Sequence, residues 1–256
     1  MKHRYLFVIL LLLAALPLLC SCGHVRLSGT QKQITVPLIS EEDTAQILEL
    51  RMNFENGGKN PITVLPTPED TQPYAVISYP ADLEKYGFFA SYEEGCLRIG
   101  TDKDRIYRTE DFSVTVYAPV SEYRLTGNLS LYAEYGDSFC DRLSLNVTGG
   151  SACSIQGITC GEVRFSVEGA AHITVSGTTD TMTAQINGAA ALDAQALLCR
   201  SVRIQINGAS SAGVYAMEAL DAEINGVGSI VYDGPDTLNV KKQIFGAGAV
   251  TKKGTS

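Results

Sequence analysis

The 256-residue chain has no tryptophan, three histidines and only 8% aromatic residues. Charge is also sparse: Asp, Glu, Lys and Arg together make up 19%. With 45% hydrophobic residues, that composition excludes a disordered tail. No basic stripe is present. The formal net charge is −8, and removal of Lys2 and Arg4 with a leader leaves 18 basic against 28 acidic residues, a net −10. Phosphate affinity needs clustered Lys and Arg, so no nucleic acid is expected as a partner and anionic lipid surfaces are disfavoured. No phosphate-binding loop, dinucleotide fingerprint or zinc-ligand spacing occurs, and no metal or other cofactor is expected. No helical pattern of normal length follows the N-terminal leader. Small residues are what the chain has in quantity, with 24 glycines and frequent Ala, Ser and Thr. They suit tight bends and close backbone stacking.

The leader sets the compartment. Lys2, His3 and Arg4 precede an apolar run over residues 5–19 that is too short for a comfortable transmembrane helix. A basic start, an apolar core and small residues predict a signal peptide over residues 1–21. The sequence Leu19-Cys20-Ser21-Cys22 resembles a bacterial lipobox, with Leu three residues before Cys22 and Ser one before it. Cys20 competes less well because the bulky Leu19 precedes it. Cys22 is therefore the expected lipidation site, and the membrane the expected partner through that anchor. Each buried methylene contributes about 0.8 kcal/mol to such an anchor. Residues 22–44 read as a polar tether, and the expected location is the bacterial cell envelope, at the outer membrane or cell surface. Five further cysteines, Cys96, Cys140, Cys153, Cys160 and Cys199, lie beyond the leader. An odd count leaves at least one unpaired.

The second half of the chain is periodic. A glycine ends each run of apolar alternation: Gly149, Gly169, Gly188, Gly208, Gly226 and Gly246, with Gly127 as a looser first member. In Val202-Arg203-Ile204-Gln205-Ile206-Asn207-Gly208, apolar residues stand six, four and two before the glycine. Period two is a strand with one buried face. Two before the anchor, the column reads Val147, Val167, Ile186, Ile206, Ile224, Ile244. Four after it, the column reads Cys153, Ile173, Leu192, Ala212, Ile230, Val250. Positions one and two after the anchor are nearly all Gly, Ala or Ser, which marks a bend. The spacing of 18–22 residues is too short for a helix pair and fits one turn of a parallel β-helix. The fold class is therefore all-β: a right-handed parallel β-helix, the hand following from the bias of parallel crossovers. The last turn carries Lys242 and Lys252 at inward positions, as a capping end would. Eleven residues after their anchors, Cys160 and Cys199 share a column with Asp180 between them. Two turns separate them, about 9 to 10 Å, too far for a disulfide. Cys153 reads as core.

Residues 45–121 are also strand-rich, with candidates at 47–54, 62–65, 74–79, 96–100 and 112–118 divided by Pro and Gly. This region is expected to cap the coil with a strand layer or irregular early turns. It forms one β domain over 45–254 with the repeats of 122–254.

The repeated Gln185-Ile186-Asn187-Gly188, Gln205-Ile206-Asn207-Gly208 and Glu223-Ile224-Asn225-Gly226 resemble the hallmark of the putative auto-transporter adhesin, head GIN domain family. The resemblance spans roughly residues 45–252. It departs where Phe245 replaces the asparagine and at Thr148 and Glu168 in the first turns. It implies a bacterial envelope protein, often a lipoprotein, with a β-helical body and no established biochemical activity.

The candidate binding face is built on the outward columns: Arg164, Gln185, Asn187, Arg203, Gln205, Asn207 and Asn225, with Tyr215 added as an aromatic near a bend. Its bland reading is a solvated surface with an amide ladder. Its functional reading is a recognition face for a glycan or for an envelope or matrix protein. No catalytic residues are proposed. His172 is the lone histidine of the folded body and lacks a triad motif. Asp102/Asp104 and Asp137/Asp141 are carboxylate pairs without the aspartate nonapeptide of calcium β-rolls. The reading is a non-catalytic adhesin or surface binding module. The alternative is a carbohydrate-active β-helix enzyme, a polysaccharide lyase or hydrolase, which needs carboxylates facing one cleft.

Overall fold

A computed structural model describes residues 24–39, 46–55, 61–103, 105–136 and 139–254. Among them the N-terminal strands are β1 (His24–Arg26), β2 (Gln31–Pro37), β3 (Gln46–Arg51), β4 (Asn53–Phe54), β5 (Pro61–Leu65), β6 (Tyr74–Pro80), β7 (Phe88–Glu93), β8 (Cys96–Thr101), β9 (Ile106–Arg108) and β10 (Ser113–Tyr117). The repeats supply β11 (Val120–Gly127), β12 (Ser130–Glu134), β13 (Phe139–Gly149), β14 (Ala152–Gly169), β15 (His172–Gly188), β16 (Ala191–Gly208), β17 (Ser211–Gly226), β18 (Ser229–Asp233), β19 (Asn239–Gly246) and β20 (Ala249–Lys252). They stack as a parallel β-solenoid of about six turns.

The stacking follows the columns of the sequence. Val167 pairs with Ile186, Ile186 with Ile206, Ile206 with Ile224 and Ile224 with Ile244. The column beyond the bend is equally continuous from Cys153 through Ile173, Leu192, Ala212 and Ile230 to Val250. Apart from the half-exposed Ile244 of the last turn, these side chains are buried and form one core. No single turn has a face to bury its own apolar row; each is covered only by its neighbours.

The bend explains the glycines. All seven stand in register from Gly127 to Gly246. Each has φ between +118° and +139°, a region disfavoured for any residue with a Cβ. From Gly149 onward, a Cβ would also lie 2.3–2.5 Å from the carbonyl oxygen of the glycine one turn before. That oxygen accepts a hydrogen bond from the residue after the next turn's glycine, as in Ala189 N–H to Gly169 O at 2.9 Å and Ala209 N–H to Gly188 O at 2.9 Å. Ser151 and Ser210 add inward hydroxyls there; Ser210 Oγ donates to Gly188 O at 3.0 Å and accepts from Ala190 N–H at 2.9 Å.

Turn lengths differ because the register shifts beyond the bend, between Ile155 and Ile158, Thr174 and Ser176, and Ala194 and Leu198. This corrects the cysteine column. Thr179, not Asp180, lies between Cys160 and Cys199, since the shorter third turn moves the pairing by one residue. Between β13 and β14 the register is unbroken, and Cys140 and Cys160, each nine residues before its glycine, stand directly opposite one another.

The N-terminal region does more than cap. Strand β3 pairs in parallel with both β8 and β11, so the order β8-β3-β11-β13 extends one side of the coil. Strand β5 pairs in parallel with β10 and β12 and extends the other. Antiparallel strands close the end, β7 on β8 and β6 on β10, with β2 on β6. The tether expected over 22–44 is corrected for its described part. Residues 24–26 pair with β9, and 31–37 pair with β6. Ile34 and Val36 alternate with polar residues and pack on the core, which favours docking over a free chain. Cys22 and the signal segment lie outside the described residues. At the far end, Lys242 covers the last turn: its Nζ donates to Val250 O at 2.9 Å and sits 4.9 Å from the Tyr232 ring centroid.

Gly188→Ala should lower stability by about 2–4 kcal/mol through backbone strain and the carbonyl clash. Gly150→Ala, where the nearest foreign atom to a Cβ is 3.9 Å away, should stay within about 0.5 kcal/mol of the parent. Denaturant unfolding of both variants checks this.

Candidate functional site

Three outward columns precede the glycines and lie side by side on one face. One before the anchor, Asn187, Asn207 and Asn225 stack in register. Asn207 Nδ2 donates to Asn187 Oδ1 at 2.7 Å, and Asn225 Nδ2 donates to Asn207 Oδ1 at 2.9 Å. The amides form a one-way chain along the coil axis, which aligns their dipoles. Three before the anchor, Gln185, Gln205 and Glu223 stack. Gln205 Nε2 and Asn225 Nδ2 both donate to Glu223 Oε1, at 3.1 and 2.8 Å. Five before the anchor stand Arg164, Thr183, Arg203, Asp221 and Lys241. Asp221 pairs with Arg203 at 3.1 Å and Lys241 at 3.7 Å. Seven of the eight residues proposed from sequence are thus brought onto one surface.

Tyr215 is not. It is half-buried in the part of β17 beyond the bend, between Leu198 and Asp233 of adjacent turns. Outward alternation identifies an exposed side of the strand but not which side of the coil it serves. An aromatic that does join the face is Phe245, paired with Asn225 and 62% exposed at the end of the asparagine column. In the sequence it stands out only as a break in the motif.

The charged rows continue into the N-terminal strands. Glu162 holds Arg164 at 2.6 Å and Arg142 at 2.8 Å, Arg124 meets Glu122 at 2.7 Å, and Glu49 lies between Arg124 and Arg98 at 3.7 and 3.8 Å. The Arg164 hydrogen bond and then that of Arg142 hold the Glu162 carboxyl below the usual carboxylate range. Each of these carboxylates thus lies within ion-pair distance of at least one arginine. A shallow depression of about 420 Å³ borders the face at Met182, Arg203, Leu220, Asp221 and Lys241. A recess of about 290 Å³ at the N-terminal end, near Arg51, Phe89 and Lys103, contains none of the proposed residues.

Among the described residues no group of three or more His, Cys, Asp or Glu side chains is placed to hold a metal ion. Asp104 and Asp137 lie outside those residues, so neither carboxylate pair is placed as a whole. His172 is exposed near the bend. No described helix is long and apolar enough to cross a membrane.

The family model for the putative auto-transporter adhesin, head GIN domain matches residues 70–235. The chain belongs to that family. The three Asn-Gly units that form the amide ladder lie within the matched segment. Among solved structures, a putative adhesin from Bacteroides fragilis is 16% identical with a TM-score of 0.70, over 89% of this chain and 99% of its own. A putative lipid binding protein from Parabacteroides distasonis is 18% identical with a TM-score of 0.61, over 90% and 99%. A putative adhesin from the same organism is 16% identical with a TM-score of 0.57, over 90% and 100%. At such identities the likeness shows the fold. No curated protein matches the chain.

Two outcomes test the face as built. Asn207→Ala removes the middle amide and should cost about 1 kcal/mol, read by thermal unfolding. Glu162→Gln should destabilise at pH 7. The Glu162 pKa is depressed on folding, so its contribution is present above the unfolded carboxylate value of about 4.3 and fades as pH falls through the lower folded value. The difference between parent and variant should accordingly vanish in acid unfolding curves.

Proposed function

We propose that this head GIN domain protein is a lipid-anchored envelope protein that binds glycan through its asparagine face and performs no catalysis. The observation that carries the reading is the asparagine ladder ending on the exposed ring of Phe245. Sugars offer alternating hydroxyls and apolar C–H faces. A row of amides supplies donors and acceptors, and an aromatic ring supplies a stacking surface. The face is a rigid sheet whose geometry exists before ligand arrives, so little ordering entropy opposes binding. Arg203 and Lys241 at the bordering depression add charged donors for an acidic sugar.

Several observations weigh against the lyase or hydrolase alternative. The carboxylates Glu162 and Asp221 are held by two cations each, and Glu223 accepts from two amides. A glycosidase keeps an acid and a base facing one another across the substrate. Membership of an adhesin-named family points to the cell surface. The lipobox supports Cys22 as the anchor, and β1 begins two residues later. A body attached that closely would present the N-terminal cap to the membrane and carry the last turn outward.

Two experiments test this. Radiolabelled palmitate fed to cells making the full chain should label the parent and not Cys22→Ser; equal labelling contradicts the anchor. On a glycan array, Phe245→Ala and Asn207→Ala should each weaken the glycan the parent binds at least tenfold, about 1.4 kcal/mol, while Tyr215→Ala leaves it unchanged. Absence of glycan binding by the parent, or equal loss in all three, contradicts the face.

A further inference from the structure

Cys140 and Cys160 stand directly opposite one another on adjacent turns, with their Sγ atoms 2.9 Å apart. In-register parallel strands lie about 4.8 Å apart, inside the Cα separation that a disulfide spans. Cys140 is half-buried and follows Phe139, which is 64% exposed, so it is the more solvent-facing of the two cysteines. Cys160 is buried beneath it. The other cysteines are placed differently. Cys96 is opposite Ile47, Cys153 is opposite Leu131 and Ile173, and Cys199 is opposite Thr179 and Ala216. Thr179, whose hydroxyl donates to Thr181 O at 3.1 Å, separates Cys199 from Cys160.

We propose that Cys140 and Cys160 are a redox pair that closes into a disulfide between adjacent turns of the solenoid by exchange with an external disulfide.

In the first step the Cys140 thiol loses its proton and attacks one sulfur of the external disulfide, forming a mixed disulfide and releasing one external thiol. The Cys160 sulfur then attacks Cys140 Sγ, breaking the mixed bond and releasing the second thiol. Two protein thiols become one disulfide, and one external disulfide becomes two thiols. The Cys140 S–H points at Cys160, which raises the pKa of Cys140 and lowers that of Cys160; Cys140 attacks first because it is the less buried of the two, not because it is the more acidic. Cys153 and Cys199 are buried and have no cysteine opposite them, so neither has a resolving partner. The closed bond would join two turns already in register, so little movement accompanies it. An oxidising envelope compartment suits such a bond. The inference stands on the register of the coil and does not depend on glycan binding.

The test incubates the full chain with oxidised glutathione, then counts thiols in denaturant and maps tryptic peptides. The expected result is loss of two thiols, with a cross-link joining the peptide that contains Cys140 to the one that contains Cys160, reversed by dithiothreitol. The cross-link should persist in Cys153→Ser and disappear in Cys160→Ser. Retention of both thiols in the parent, a lasting glutathione adduct on Cys140, or a cross-link to any other cysteine overturns the proposal. Cys153 and Cys160 share the tryptic peptide 143–164, so fragmentation of the parent's cross-linked peptide between those two cysteines decides even if a variant fails to fold.

Discussion

The contact on which the rest depends is the approach of one glycine to the carbonyl of the glycine beneath it. The bend is so tight that a single methyl group has no room there. The same carbonyl receives the hydrogen bond that ties the next turn in place. Sterics and hydrogen bonding thus select the same register. Once the bends are stacked, the isoleucines two residues earlier must lie above one another, and the asparagines one residue earlier must lie side by side. The apolar core and the polar face are two consequences of one backbone constraint.

This explains why the sequence announces the repeat so clearly and yet hides other parts. Glycine anchors, inward columns and outward columns all fall within one turn's length, so their order is visible in the chain itself. Pairing between distant segments is not. Nothing near Glu49 signals that Arg98 and Arg124 will flank it, because β3 enters the stack between β8 and β11, out of chain order. The docked strand at Gln31–Pro37 is similarly obscured. Its alternation is short, and its partner β6 lies far along the chain.

The columns fail where the turns are unequal. Counting forward from the anchor assigns Asp180 to the cysteine column, whereas the register irregularity places Thr179 there; Cys140 meets Cys160 in the unbroken register that leads into the next glycine. The unequal turns also bear on the candidate face. Residues within six positions before a glycine keep their register, so seven of the proposed residues converge. Tyr215, beyond the bend, belongs to another side of the coil. Phe245 enters as the unlike member of an otherwise uniform column, at the end where the stack stops.

Stability and the proposed recognition draw on the same geometry without competing. The core is satisfied turn by turn, and the polar face satisfies itself through amide chains and paired charges, leaving an ordered surface rather than a cleft. Distances along the axis test this account most directly. Spin labels on genetically encoded keto side chains at Ser144 and Lys241 would be five turns apart in one outward column. Pulsed electron resonance should give a narrow distribution near 24 Å, about 4.8 Å per turn, shortening by one such step when the first label moves to Arg164. A broad distribution, or a separation that does not change by that step, would contradict the stacked coil.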